Sequence, residues 1–436
     1  NIIYIYGMDS AYLKFAAFKD IGDDKDNFST PYISIFISSV VFSIVIISFK
    51  DSIAGSLGIP EDYGFLIYLA AAIIFLDANG VIPFLNLRLD RKATKFTIIK
   101  ISNIGVHIVT SLFLILVLEW GIEAILISNI AGSLVALLLL IPIIVKNFKF
   151  DFHTVLFKRL VKFGLPYLPA GMAVMVVQVI DVPILQKLTS LKTVGIYKAN
   201  YKLGIFMMLF VNMFQYAWQP FFLQNAKEEN AKQMFSKILT YFTLVSSILV
   251  IGLSLFIADI AKIQIADYSL IGSAYWSGLN IVPIILFAYL INGIYVIFSA
   301  GIYIEEKSLY VPFIAGAGAV INIVANFSLI PVLGIYGAAL ATFISYLIMA
   351  IGYYAVTQKF YHINYEWDKI LKIFTAVLII LAIYFLLPLD SFLVLLFVKL
   401  LLLTSFIFYL YFFAIDRKEI KLLKEKLKES GSNKNA

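Results

Sequence analysis

Residues 181–204, DVPILQKLTSLKTVGIYKANYKLG, join the end of one long apolar segment to the start of another. The stretch holds Asp181, Lys187, Lys198 and Lys202, the densest group of ionisable residues expected at or near membrane depth. In YKANYK the two lysines are four apart, so on a helix they share a face. Membrane helices keep such residues where they line water, meet a partner or snorkel to the interface. We read them as facing a water-filled cavity that handles an anion.

The composition around this stretch fixes the class. The chain is 61% hydrophobic and only 14% charged over 436 residues, against about 25% charged in ordinary soluble domains. Its apolar runs reach helix-spanning length, whereas a β-barrel would show short alternating segments. The formal charge of +7 then points to cytoplasmic loops beside an anionic leaflet before it points to nucleic acid. There is no cysteine and only three histidines, His107, His153 and His362, so neither a metal nor a cofactor is expected. The chain opens on Asn1 already inside an apolar stretch, without a charged leader and cleavage site. That opening reads as a fragment that lacks at least one upstream helix.

About thirteen spanning candidates follow from apolar runs broken by short polar links. They lie near residues 1–18, 31–49, 64–87, 96–118, 122–145, 160–187, 195–223, 236–258, 275–304, 309–331, 334–356, 370–388 and 391–415. Alternate links carry the basic residues, including all four arginines, and the opposite links carry Asp51, Glu61, Asp62, Glu119, Glu123, Asp259, Asp267 and Asp390. The positive-inside rule therefore puts the basic links and the C-terminus in the cytoplasm.

Three weak internal matches recur at offsets between 206 and 215 residues. Ala11 pairs with Ala217, the basic turn at Lys92 with that at Lys307, and GIEAILIS from Gly121 with GIYGAALAT from Gly334. An even number of intervening helices gives both copies one orientation, hence two parallel six-helix lobes. The fold expected is an all-α polytopic membrane protein. Its parts are an N-terminal lobe over residues 1–150, missing its first helix, and a C-terminal lobe over 151–360. Two additional helices over 361–415 and a charged cytoplasmic tail over 416–436 complete it.

On a helix from 194 to 223, Lys198, Lys202, Asn212, Tyr216 and Gln219 fall within about a third of the circle. Such a polar stripe marks a cavity wall; the plainer reading is that the two lysines snorkel. Asp181 could pair with Lys198 or Lys202, could be a proton or sodium site, or could belong to a buried structural ion pair. Asp9 and Lys14 stand in the first helix, where the repeat pairs them with the polar helix of the second lobe, so both could face the same cavity. Asp77 and Asn79 precede a break at Gly80 and Pro83, where an aspartate could also be satisfied by freed backbone. His107 reads as structural. The chain has no G-x-x-x-x-G-K-S/T loop and no large outward loop with paired carboxylates, so no enzymatic activity is expected.

KFGLPYLPAGMA from Lys162 and VIDVPILQKLTSLKTVGIYKANYKLG from Val179 resemble the start of the second lobe of the polysaccharide-export flippases. These carry O-antigen and other lipid-linked oligosaccharides and belong to the multidrug/oligosaccharidyl-lipid/polysaccharide (MOP) exporter superfamily. The matching pattern is Phe163, Gly164 and Pro166, then Asp181, then Val194, Gly195 and Tyr197, closing on Tyr201, Lys202 and Gly204. AWQPFFLQNAKEE from Ala217, SAGIYIEEKSLYVP from Ser299 and NIVANFSLIPVLGIYGAALAT from Asn322 are similar too. Val182 departs from the family, which often has a basic residue there, and this leaves Lys198 and Lys202 as the cationic groups.

The resemblance implies about fourteen helices with both termini cytoplasmic, in a multi-pass protein of the bacterial inner membrane. It implies flipping of an undecaprenyl-diphosphate-linked oligosaccharide from the cytoplasmic to the outer leaflet by alternating access. A proton or sodium gradient, or the membrane potential, would drive it. The implied partners are that glycan lipid, membrane lipids and polysaccharide polymerase or ligase machinery, with no nucleic acid. A cation-coupled multidrug antiporter of the same fold ranks second, because lysines outnumber acids on the central helix, and a peptidoglycan-precursor flippase remains a further alternative.

Overall fold

The computed structural model describes residues 1–265, 268–387 and 391–413; the expected tail over 416–436, with Asp267 and Asp390, lies outside them. In chain order the helices are α1 Ile2–Ile5, α2 Met8–Phe18, α3 Asp24–Ser48, α4 Lys50–Leu57, α5 Leu66–Leu89, α6 Ala93–Leu116 and α7 Glu123–Asn147. Then come α8 Thr154–Gly164, α9 Tyr167–Val179, α10 Asp181–Leu188, α11 Leu191–Tyr201, α12 Ile205–Asn225 and α13 Ala231–Ala261. The series ends with α14 Val282–Ile304, α15 Val311–Leu333, α16 Ile335–Phe360, α17 Trp367–Leu386 and α18 Phe392–Phe413. The strands described are two-residue ones, Gln264–Ile265 and Tyr268–Ser269, in the link after α13. The protein is an all-helical, multi-pass membrane protein, because only helices satisfy every backbone group within one lipid-exposed segment.

Among the described residues, eleven helical stretches are long and apolar enough to cross a membrane. Sequence reading gave about thirteen, and the two that drop out have visible causes. The first is cut into α1 and α2 at Tyr6 and Gly7, both in the left-handed region at φ 37° and 79°. The second is cut at a 3-10 turn, Lys202–Gly204, and α12 beyond it carries Asn212, Gln215 and Gln219 along its length. At Gly204 the chain runs so close to α14 that a Cβ would lie 2.5 Å from Ile285 Cγ2. Two further boundaries differ. The expected break at Gly80 and Pro83 does not form: α5 runs through both, since neighbours and local adjustment absorb a membrane-helix proline. The span expected over 160–187 is built as α8, α9 and α10 in succession.

The chain packs as two compact units that are discontinuous in sequence. Unit 1 comprises Asn1–Val174, Tyr216–Ala226 and Ile302–Gly316; unit 2 comprises Met175–Gln215, Lys227–Gly301 and Ala317–Ala436. In unit 1, α5 and α6 both pack on α7, with Leu87, Ile99, Ala136 and Leu140 at their shared core. In unit 2, α17 and α18 lie against α13. Two of the three pairs matched by the internal repeat fall at helix starts: Lys92 caps α6, Lys307 caps the turn into α15, and Gly121 and Gly334 precede α7 and α16, whereas Ala11 and Ala217 lie inside α2 and α12.

Candidate functional site

Unit 1 holds a polar cavity of about 410 Å³ among α1, α2, α5, α6, α7 and Tyr216 of α12. Helix period explains its walls. Asp77 and Arg88 are eleven residues apart on α5, just over three full turns, and so share a face. Lys100 and Asn103 on α6, and Asn129 and Ser133 on α7, are three and four apart and point the same way. Asp9 adds a second carboxylate from α2.

The charged groups of this cavity are held mainly by neutral partners. Ser133 donates to Asp77 Oδ1 at 2.7 Å. Arg88 Nη2 donates to the Tyr216 carbonyl and to Gln219 Oε1, each at 3.1 Å, and its guanidinium lies 4.5 Å from the Tyr216 ring. The buried Arg88 Nε has no hydrogen-bond partner. Lys100 Nζ sits over the Phe84 ring at 4.1 Å. Among the described residues neither Arg88 nor Lys100 is ion-paired, so both cations keep bonding capacity toward the cavity.

A second polar cluster lies within unit 2. Asp181 opens α10, where the chain restarts after α9, and is only 2% exposed. It accepts hydrogen bonds from Tyr197 Oη at 2.9 Å, Asn326 Nδ2 at 2.9 Å and Thr342 Oγ1 at 2.8 Å. Asn326 Nδ2 also reaches Asn322 Oδ1 at 3.1 Å. Asn322 Nδ2, Asn326 Oδ1 and Tyr346 Oη remain unpartnered and buried. The ion pair of Asp181 with Lys198 or Lys202 that the sequence allowed is not formed: both lysines are exposed and every partner of Asp181 is neutral. Removing a carboxylate from water without a counter-ion is costly, and a proton or a small cation joining it relieves the cost.

The expected site residues thus separate. Asp9, Asp77 and Tyr216 come together at the unit 1 cavity, with Gln219 bonded to its arginine. Lys198, Lys202 and Asn212 are exposed in unit 2 and do not line that cavity. Lys14 is not among the residues that line this cavity either. It is 2% exposed, donates to the Ile304 carbonyl at 2.9 Å, sits 3.9 Å from Glu306 Oε1 and lies over the Phe18 ring. Arg88, Lys100, Asn103, Asn129 and Ser133 were missed. The spacings on α5, α6 and α7 carry that signal, but the pattern of basic links places Arg88 in a loop.

Compared with known families, residues 14–266 match the model described as Polysaccharide biosynthesis protein. The chain belongs to this family. No curated protein matches it in sequence. Among solved structures, the family member resembles a mutant of the MATE transporter VcmN from Vibrio cholerae, at a TM-score of 0.69 and 14% identity, covering 82% of this chain and 85% of that one. A MATE transporter in its bent conformation matches at TM-score 0.67 and 15% identity, over 86% and 85% of the two chains. A MOP superfamily transporter from Pyrococcus furiosus, described as having a binding pocket of reversed polarity, matches at TM-score 0.65 and 14% identity, over 82% and 83%. This polysaccharide biosynthesis protein therefore has the fold of the MOP-type membrane transporters.

Proposed function

We propose that this family member flips an undecaprenyl-diphosphate-linked oligosaccharide across the bacterial cytoplasmic membrane, with its C-terminus in the cytoplasm. The observation that carries the reading is the pair of unpaired cations, Arg88 and Lys100, in the unit 1 cavity. A diphosphate leaving water needs charge-assisted hydrogen bonds to offset its desolvation, and Arg88 and Lys100 line the cavity that would receive it. The prenyl tail stays in the bilayer while the head crosses, and alternating access moves the opening from one leaflet to the other. The chain carries out transport without enzymatic chemistry, beside polymerase or ligase machinery that uses the flipped unit, and it takes no nucleic acid.

Asp181 is the coupling residue in this scheme. A carboxylate with hydroxyl and amide oxygens around it is a fitting host for a proton or sodium ion. Asp9 and Asp77 are the observation that favours a second reading, a cation antiporter of the same fold, since they give the same cavity two acids. A peptidoglycan-precursor lipid shares the diphosphate chemistry and makes a third substrate class.

The test is surface polysaccharide in a strain lacking its own flippase and supplied with the matching glycan pathway. Arg88→Gln and Lys100→Gln should each cut export about tenfold, with protein levels intact and lipid-linked units accumulating. Lys198→Ala with Lys202→Ala should export normally. Full export by both cavity variants sinks the reading, and cation efflux lost with Asp9→Asn and Asp77→Asn would install the antiporter.

A further inference from the structure

Helix α8, TVLFKRLVKFG, has two sharply different faces. Leu156, Leu160 and Phe163 are buried, Phe163 packing edge-on against Phe15 at 6.0 Å between ring centres. The opposite face carries Lys158, Arg159 and Lys162, at positions one and four apart. Facing them, within the same unit, is the turn between α14 and α15, with Glu306 and Leu309. Together they enclose a groove of about 520 Å³.

The charge in this groove does not balance. Glu306 is its one acid, and it is already shared: Arg159 Nη1 lies 3.5 Å from Oε2, and Lys14 Nζ lies 3.9 Å from Oε1. Lys158 and Lys162 are exposed and have no partner among the described residues. Apolar surface adjoins them, with Val155 61% and Leu309 64% exposed. Surplus positive charge beside open apolar surface suits a ligand with an anionic head and a hydrocarbon tail. An amphipathic helix that ends in a membrane span holds such a site at headgroup depth, on the face that bears the basic links.

We propose that this groove binds the phosphate of a membrane lipid, with Lys158 and Lys162 as the donors and the lipid chain against Val155 and Leu309. The site is separate from the Arg88 and Lys100 cavity and does not depend on what that cavity carries. Two lipids present this chemistry, an anionic glycerophospholipid of the surrounding leaflet and a prenyl diphosphate arriving for transport.

The purified full chain is titrated separately with phosphatidylglycerol, phosphatidylcholine and undecaprenyl diphosphate, and bound lipid is counted by native mass spectrometry. Lys158→Gln with Lys162→Gln should weaken binding roughly tenfold to thirtyfold, since each cation near an anionic headgroup contributes about fivefold. The charge-conserving double variant Lys158→Arg with Lys162→Arg should bind as the wild type does, and Lys187→Gln with Lys192→Gln, outside the groove, should change nothing. A loss confined to phosphatidylglycerol assigns the groove to the bulk leaflet, and a loss confined to the diphosphate assigns it to an arriving prenyl lipid. Either supports the site. Equal binding of both anionic lipids by the glutamine variant, or of phosphatidylcholine and phosphatidylglycerol by the wild type, overturns it.

Discussion

Thr342 Oγ1 donates to Asp181 Oδ2 at 2.8 Å, tying the first turn of α10 to α16 across 161 residues. Tyr197 shares the same oxygen and Asn326 holds the other, so the carboxylate is surrounded by neutral donors. Replacing Thr342 with Val removes a hydrogen bond to a charged group and should cost about 2 kcal/mol of stability. More tellingly, sodium should raise the melting temperature of the wild type and leave Asp181→Asn unmoved. A response of equal size in both proteins would separate Asp181 from ion binding.

Lys399 Nζ lies 2.6 Å from Asp259 Oδ2, with the lysine 2% and the aspartate 39% exposed. The two halves of this pair should not be worth the same. Asp259→Asn strands a buried ammonium and is expected to cost about 3 kcal/mol. Lys399→Met leaves a carboxylate that reaches solvent and should cost about 1 kcal/mol or less. Thermal unfolding in detergent checks the order, and equal losses would mean that the burial difference is irrelevant to the pair.

Gly7 and Gly164 bring α2 and α8 into backbone contact. A Cβ on Gly7 would sit 1.9 Å from the Gly164 carbonyl oxygen, at φ +79°. Gly58 has a similar φ of +66° but open space around it. Gly58→Ala should therefore cost only the left-handed penalty, about 1 kcal/mol, whereas Gly7→Ala should exceed it by several kcal/mol or fail to fold. Comparable yields and melting temperatures for the two variants would refute the close approach.

Outside the spans, Lys149 Nζ lies 2.6 Å from Asp26 Oδ1 and 3.2 Å from Asp23 Oδ2. The Asp26 backbone N–H, aided by Lys149, holds the Asp23 carboxyl below its ordinary range. The bond to Asp26 holds the Lys149 ammonium above its own. Asp23 therefore contributes stability above about pH 4, lost as pH falls through its lowered folded value. Lys149 contributes below about pH 10, lost as pH rises through its raised folded value. Lys149→Met should lower the plateau of the melting-temperature profile and flatten its alkaline flank, while the acid flank shrinks only in part because the Asp26 N–H still holds Asp23. Flanks parallel to those of the wild type would remove the cluster from the pH response.

The spans were legible because twenty apolar residues in a row have few other uses. Asp9 and Asp77 were legible as cavity residues for a related reason, being acids on otherwise apolar helices. The polar stripe through residues 198–219 was read at a constant 100° per residue, and the 3-10 turn at Lys202–Gly204 breaks that phase. At that turn Gly204 passes close to Ile285, a contact that sequence spacing does not encode. The partners of Asp181 were beyond reach for the same reason, since Asn326 and Thr342 lie 145 and 161 residues away. Lys14 looked like a cavity cation because the carbonyl that buries it, that of Ile304, is 290 residues distant.

The eleven-residue interval between Asp77 and Arg88 also makes the length of α5 part of its chemistry. Deleting a single apolar residue between Val81 and Leu87 would swing the guanidinium about 100° around the axis, out of the cavity wall. A point substitution at the same place would leave it where it is. Within this stretch, insertions and deletions are therefore the changes to which the protein is least tolerant, even where the side chains themselves are interchangeable.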